Sequence, residues 1–441
     1  MVYKKRGRVA LSGGGRATTR AQFTPYNQMI VPGDFRGSAR EVAFFFPGQL
    51  RGEESPMSRA LLIGVAVLVA WAGVAAAAEI KPHSFTGLGH VPGGAYPSEA
   101  RAVSADGSVV VGSSGSPDGQ RAFIWTVSDG MTALEVPSGQ LWTWANDVSA
   151  DGQYVVGDAG SSFGLAAGWE GIRWHVGGGV DRFAVSGKGV WAKGVSAGGS
   201  VVVGSAGDLA YRWTQAGGME YIGTLYESLL NHRSYASAVS DDGGTIVGDS
   251  NGDDGYGNSQ GSAFLWTRDE GMTPLLGAFT AAAISGDGKV VAGTLNYEAY
   301  RWTAEEGVVM LGTIAPYTRS LAQGVSGDGR RVLGYVTGED DPGEAFIWEE
   351  GKGMRLVQDI LVNDFGFGEE LDGWTLTRAW AISEDGSTVV GRGINPEGQM
   401  EAFRAVLPEP ATLALVAAGL AVALRRRRAW RRGRDAGPSR R

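Results

Sequence analysis

One phrase, A-x-x-[VI]-S-x-[DG]-G, recurs seven times along the 441 residues, and no other feature restricts the fold so tightly. Its copies end at Gly107, Gly152, Gly199, Gly243, Gly288, Gly329 and Gly386, at intervals of 45, 47, 44, 45, 41 and 57 residues. Each continues into a β-branched run closed by glycine, as in Ser108-Val109-Val110-Val111-Gly112 or Thr388-Val389-Val390-Gly391. An aromatic strand follows, such as Ala122-Phe123-Ile124-Trp125-Thr126, Ala263-Phe264-Leu265-Trp266-Thr267 or Ala345-Phe346-Ile347-Trp348. Most copies then turn through Gly-Met or Gly-Val into an L-G-x-[VIL] strand, for example Leu311-Gly312-Thr313-Ile314. Each unit therefore reads as four short strands, with an Asp-Gly hairpin between the first two. The 71 glycines suit this traffic of tight turns better than they suit helices.

A four-stranded unit of about 45 residues is the size of a propeller blade. The last copy stops at Ala402-Phe403-Arg404-Ala405-Val406-Leu407 without a fourth strand, and an orphan Leu88-Gly89-His90-Val91 precedes the first copy. An N-terminal strand that completes the last blade would join the ends and remove an exposed sheet edge. The alanine at Ala100, Ala145, Ala192, Ala236, Ala281, Ala322 and Ala379 fits strands crowded around an axis. The expectation is an all-β, seven-bladed propeller over residues 79–406, with a β-solenoid as the alternative. The repeat unit resembles the HAF-type extracellular repeat, although Arg121, Ser262, Glu344 or Glu401 stands where that family has histidine, and two copies read Ala-Tyr-Arg-Trp.

Both ends read as addresses. From Met57, a basic residue (Arg59), an apolar stretch from Leu61 to Trp71 and Ala76-Ala77-Ala78 before Glu79 compose a signal peptide over 57–78, the alternative being an uncleaved anchor. Met57 is then the expected start of translation, and residues 1–56 are coil or an untranslated extension. At the other end, Pro408-Glu409-Pro410 leads into fourteen apolar residues, Ala411 to Leu424, and then Arg425, Arg426, Arg427 and Arg428. A helix of that length spans roughly 21 Å, short of the ~30 Å hydrocarbon core, with the arginines holding its end in the cytoplasm. This order resembles the PEP-CTERM sorting signal over 407–428, followed by a basic tail, 429–441. The resemblance implies an exosortase-like membrane protease as partner, a transient or stable membrane attachment, and a link to exopolysaccharide or biofilm. A plain C-terminal anchor would explain the helix and the arginines but not Pro408-Glu409-Pro410.

Composition narrows the chemistry. Residues 60–424 carry 20 basic against 42 acidic side chains, a body that repels nucleic acid. No cysteine exists, which removes disulfides, thiolate metal sites and cysteine nucleophiles. The four histidines, His83, His90, His175 and His232, share neither ligand spacing nor a repeat position. The recurrent serine and the Asp-Gly carboxylates (Asp106, Asp151, Asp242, Asp287, Asp328, Asp385) read as hairpin caps and turn formers, with paired-acid glycoside chemistry the weaker reading. Asp249-Ser250-Asn251-Gly252-Asp253-Asp254-Gly255 resembles the opening of a calcium loop, so Asp249, Asn251 and Asp253 are candidate Ca²⁺ ligands. Against it, Asp254 replaces the loop glycine and Gln260 the bidentate glutamate, which leaves a solvated polar loop as the simpler reading. Trp125, Trp174, Trp213, Trp266, Trp302 and Trp348 share one repeat position and are expected between blades. Trp144, Trp191 and Tyr235 share another, before the axial alanine, where they could stack on sugar faces near a channel mouth or fill core. Together these readings favour a non-catalytic surface or matrix protein that binds glycan or a protein partner, over a propeller-based hydrolase or lyase.

Overall fold

The computed structural model describes residues 84–407, apart from 162–167, 254, 257, 258, 276 and 340. The signal peptide, residues 1–56, the apolar segment Ala411 to Leu424, the sorting-signal residues 408–428 and the tail lie outside the described residues. The described strands form seven four-stranded antiparallel sheets. Six are sequential meanders: 95–133, 142–183, 190–221, 230–274, 280–310 and 319–356. The seventh is composite. Thr375–Ile382, Thr388–Ile394 and Met400–Val406 are joined on the outside by Ser84–Gly87, which pairs Ser84 with Val406 and Gly87 with Phe403. The chain is thus an all-β seven-bladed propeller whose last blade is closed by the first strand.

Seven hydrophobic clusters hold the ring, each built from two adjacent blades. The aromatic strand supplies the deepest side chains: Phe123, Tyr211, Phe264, Tyr300, Phe346 and Phe403 are fully buried. The recurrent tryptophan follows this pattern at Trp125, Trp174 and Trp266, which are buried between blades. Polar ties cross the same seams. Arg173, Arg301 and Arg404 occupy one repeat position and donate to the carbonyls of Gly199, Gly329 and Gly107 in the next blade, at 2.5, 3.0 and 2.9 Å. The bond from Arg404 joins blade 7 to blade 1, as does Ala402 N–H donating to Ser98 Oγ at 3.0 Å.

Two glycine positions explain the shape of each hairpin. In the Asp-Gly turn the glycine sits at positive φ, for example +69° at Gly152, while the serine hydroxyl donates to the aspartate (Ser149 Oγ to Asp151 Oδ1, 2.6 Å). The same serine–aspartate bond recurs at Ser104, Ser240, Ser285, Ser326 and Ser383, so these carboxylates are engaged in turns. The glycine that closes the valine run meets the inner strand: a Cβ at Gly157 would collide with the Trp144 carbonyl oxygen. Next to it each inner strand carries a β-bulge, as between Ala145 and Asp147.

The fourth strand differs in place from expectation. It is the Gly-Met or Gly-Val segment itself, as in Gly130–Ala133 or Gly307–Met310, and the L-G-x-[VIL] stretch is the linker that follows. Glycine at positive φ (+78° at Gly312, +72° at Gly89) ends the strand there, and the flanking apolar residues, Leu88, Val91 and Leu311 among them, are buried under the next blade. The closing strand is accordingly Ser84–Gly87, with Leu88 N–H adding one last bond to Ala402 O at 2.8 Å. The longest repeat interval is filled by a short helical insertion, Val357–Asp359 and Ile360–Asp364, whose Val357 and Leu361 are buried against blade 7.

Candidate functional site

The first strand of every blade lines a central channel of about 230 Å³. Because of the bulge, the residue after the invariant alanine faces this channel. Around the ring those residues are Arg101, Asn146, Lys193, Ser237, Ala282, Gln323 and Trp380. The scaffold repeats here but the side chains do not, which is where a symmetric ring acquires a specific face.

Blades 6, 7 and 1 hold a cationic and aromatic cluster at the mouth where the inner strands begin. The Arg101 guanidinium lies 4.5 Å over the Trp380 ring, and Arg378 lies 4.3 Å over Tyr335 and 5.9 Å from Trp380. Glu99 bridges Arg101 at 3.1 Å and Arg392 at 3.3 Å. Burial, opposed by Glu99 and reinforced by the neighbouring Arg378 and Arg101 charges, holds Arg392 below the ordinary arginine range. Among the described residues, Arg378 Nε, Arg392 Nε and Trp380 Nε1 are buried without a hydrogen-bond acceptor.

The opposite wall is internally satisfied. Asp158 accepts from Ala192 N–H at 2.9 Å, Asn146 Nδ2 at 2.8 Å and Lys193 Nζ at 2.9 Å, which neutralises it within the wall. Deeper, Asp147 stands where the other blades have alanine or glycine. Its carboxyl accepts from Val148 and Val195 N–H at 2.8 and 2.9 Å, yet burial pushes it up to about 7, with the Asp241 charge adding to the shift. At the hairpin end Asp241 and Glu384 converge, with Gly286 and Gly327 making room between them. Burial first, then the hydrogen bond and charge of Asp241, raises Glu384. The channel is therefore polarised, basic and aromatic at one mouth and acidic at the other end.

The expected aromatic residues sit on inner strands at the basic mouth, each half-buried. They occupy the repeat position of Glu99 and Arg378. Trp144 belongs to a group within its own blade, stacked 6.2 Å from Trp142 and tilted against Trp169 at 5.1 Å, while Trp191 and Tyr235 pair across their hairpins with Ser205 and Asp249. The calcium candidates are not brought together. The expected loop is the end of a strand, Thr245–Asp253, and an advance of about 3.3 Å per residue puts Asp249 and Asp253 roughly 13 Å apart. Asp249 accepts from Ala281 N–H at 3.3 Å and burial pushes its carboxyl up to about 6, Asn251 faces Arg233 across the hairpin, and Asp253 accepts from Asn231 Nδ2 at 3.1 Å. Among the described residues, no three His, Asp or Glu side chains are placed to share a metal ion. The same residues include no helix long and apolar enough to cross a membrane. Missed at the level of sequence were Arg101, Arg378, Arg392, Tyr335 and Trp380, whose signal is that each departs from its own repeat position.

Residues 406–428 match the model of the PEP-CTERM protein-sorting motif. Such a motif implies an exported protein processed by an exosortase, with membrane attachment or cleavage at the C-terminal end. No curated protein matches the chain. Among solved structures, TolB from Acinetobacter baumannii matches at 11% identity and a TM-score of 0.38, over 68% of this chain and 81% of that one.

Proposed function

We propose that the protein is a non-catalytic propeller of the cell surface or extracellular matrix, handled by an exosortase-like protease, that binds exopolysaccharide through one mouth of its channel. The observation that carries this reading is the blade-specific cluster of Arg101, Arg378, Arg392, Tyr335 and Trp380 on an otherwise repetitive ring that is joined to a sorting motif. A ring of packed blades is a rigid platform, and its axial mouth is where differing side chains from several blades meet. The resemblance of the repeat to the HAF-type extracellular unit supports the same location, and the PEP-CTERM motif supports a link to exopolysaccharide or biofilm.

The rival, a glycan-active hydrolase or lyase, draws on the raised carboxyls Asp147 and Glu384 at the acidic end. A channel of about 230 Å³ is below the roughly 300–1,000 Å³ usual for ligand pockets, which favours binding at the mouth over chemistry inside. The test is binding of residues 79–406 to the producing cells' own exopolysaccharide, with calcium and then with chelator, alongside an assay for newly released reducing ends. Saturable binding without new ends is expected. New reducing ends, or unsaturated ends from a lyase, would assign an enzyme, and no binding would sink the polysaccharide reading. Loss of binding with chelator would restore Asp249, Asn251 and Asp253 as a calcium site.

A further inference from the structure

Blade 7 contains a pairing that no other blade repeats. Arg378 and Arg392 stand directly opposite one another on adjacent strands. The equivalent pairs elsewhere are Glu99 with Ser113, Trp144 with Asp158, Trp191 with Ser205, Tyr235 with Asp249, Thr280 with Thr294 and Leu321 with Tyr335. Like charges directly opposite in a sheet are destabilising, so this pair works against the fold that carries it. Arg101 adds a third guanidinium, and among the described residues Glu99 is the one carboxylate bridging the group.

We propose that Arg101, Arg378 and Arg392 form an anion site for the acidic group, carboxylate or sulfate, of a charged sugar residue. The identification of the ligand as a sugar rests on the glycan-binding reading above. Three further observations point to an anion. The Nε groups of Arg378 and Arg392 and the indole N–H of Trp380 are buried donors with no acceptor among the described residues, against one such unmet acceptor, Glu99 Oε1, so donors outnumber acceptors in the site. Planar guanidiniums match two-oxygen anions in a forked geometry that lysine cannot supply. Stacking over Trp380 and Tyr335 fixes the planes of Arg101 and Arg378, so less order is lost on binding. The cluster is within reach: the side chains of Arg101 and Arg392 keep 37% and 20% of their surface exposed. The acidic far end, with Asp147, Asp241 and Glu384, repels a polyanion and confines it to the basic mouth.

The full-length protein is titrated with alginate oligomers, dextran sulfate and neutral dextran, beside the native exopolysaccharide, for wild type, Arg378→Gln and Arg392→Gln. An acidic probe is expected to bind, with roughly a ten- to hundredfold loss in each variant, the range for one charge-assisted contact. The Tm is expected to hold or rise, because each substitution removes the opposed charge; a purely structural arginine would lower it. Preference for alginate over dextran sulfate assigns a carboxylate, and the reverse a sulfate. Equal binding of neutral dextran, or acidic probes that bind all forms alike, overturns the anion site. If the native polysaccharide binds while the variants are unaffected, the site falls and the glycan-binding reading stands. If acidic probes need the arginines but the native polysaccharide does not bind, the site stands and that reading falls. Arg101→Gln, at a side chain more exposed than that of Arg392, carries the same test should either of the other variants fail to fold.

Discussion

Replacing Asp147 by alanine isolates the cost of one carboxyl in the channel wall. Alanine is the residue that Ala102, Ala238, Ala283 and Ala381 already place at this point of the repeat, so the backbone accepts it. Burial raises the folded carboxyl from the ordinary 3.8 to about 7. Between those values the folded chain holds a proton that the unfolded chain has released, so wild-type stability falls as pH rises from about 4 to 7 and is level above that. At 1.36 kcal/mol per unit, the group withdraws about 4 kcal/mol between pH 4 and pH 8, an upper estimate because its side chain retains some contact with the channel. The alanine variant lacks this dependence. It also lacks the bonds from Val148 and Val195 N–H, a loss of about 1–2 kcal/mol that applies at both pH values and cancels in the comparison. For a domain of this size, the difference in Tm between variant and wild type should be roughly 5–10 °C more favourable to the variant at pH 8 than at pH 4. Thermal melts at the two pH values measure it. An equal difference at both would show that Asp147 titrates as an ordinary carboxylate and refute the desolvation argument.

Other consequences are as direct. Gly157→Ala forces a Cβ against the Trp144 carbonyl and should cost about 3 kcal/mol in a denaturant titration, whereas an unchanged midpoint would mean that the inner strand can move aside. Deleting residues 84–87 uncovers the edge of Met400–Val406 and removes Phe85 from its T-shaped contact with Trp374, 5.1 Å between centroids. A lower Tm and concentration-dependent association by light scattering are expected, and an unaltered monomer would contradict the closure. Chelation should shift the Tm by less than about 1 °C, since Asp249, Asn251 and Asp253 are spread along a strand; a larger calcium-dependent shift would place a metal there after all.

The propeller was legible because its determinants are local and recur: alternation within strands, Asp-Gly turns, and a missing last strand matched by an extra first one. The fourth strand was displaced by a few residues because the glycine of Gly-Met or Gly-Val closes the turn at positive φ and already begins the strand, as at Gly307 (+69°), while a second glycine, such as Gly312 (+78°), ends it. The mouth of the channel was half legible. Looking for recurrence found Trp144, Trp191 and Tyr235 but passed over Glu99 and Arg378 at the same repeat position, where recurrence fails. The opposition of Arg378 and Arg392 depends on hairpin register, and the entry of Trp380 into the channel depends on the bulge between Ala379 and Ala381. Neither is a property of spacing alone. The candidate calcium ligands Asp249, Asn251 and Asp253 stand spread out for a related reason, since the letters match a loop while the chain there continues as a strand.

The closing arrangement also decides how the ring would carry a mechanical load. In blade 7 the strand order is Ser84–Gly87, Met400–Val406, Thr388–Ile394, Thr375–Ile382, so the last strand is an inner member of its sheet, paired on both flanks. The sorting motif follows it directly in the chain. Tension transmitted from a membrane through that end would act on a strand gripped by two neighbours, and hydrogen bonds on both sides would have to yield together. Were the N-terminal strand absent, the same pull would fall on an edge and peel it bond by bond. Were the protein held at that end, the first of the described strands would serve as the clamp.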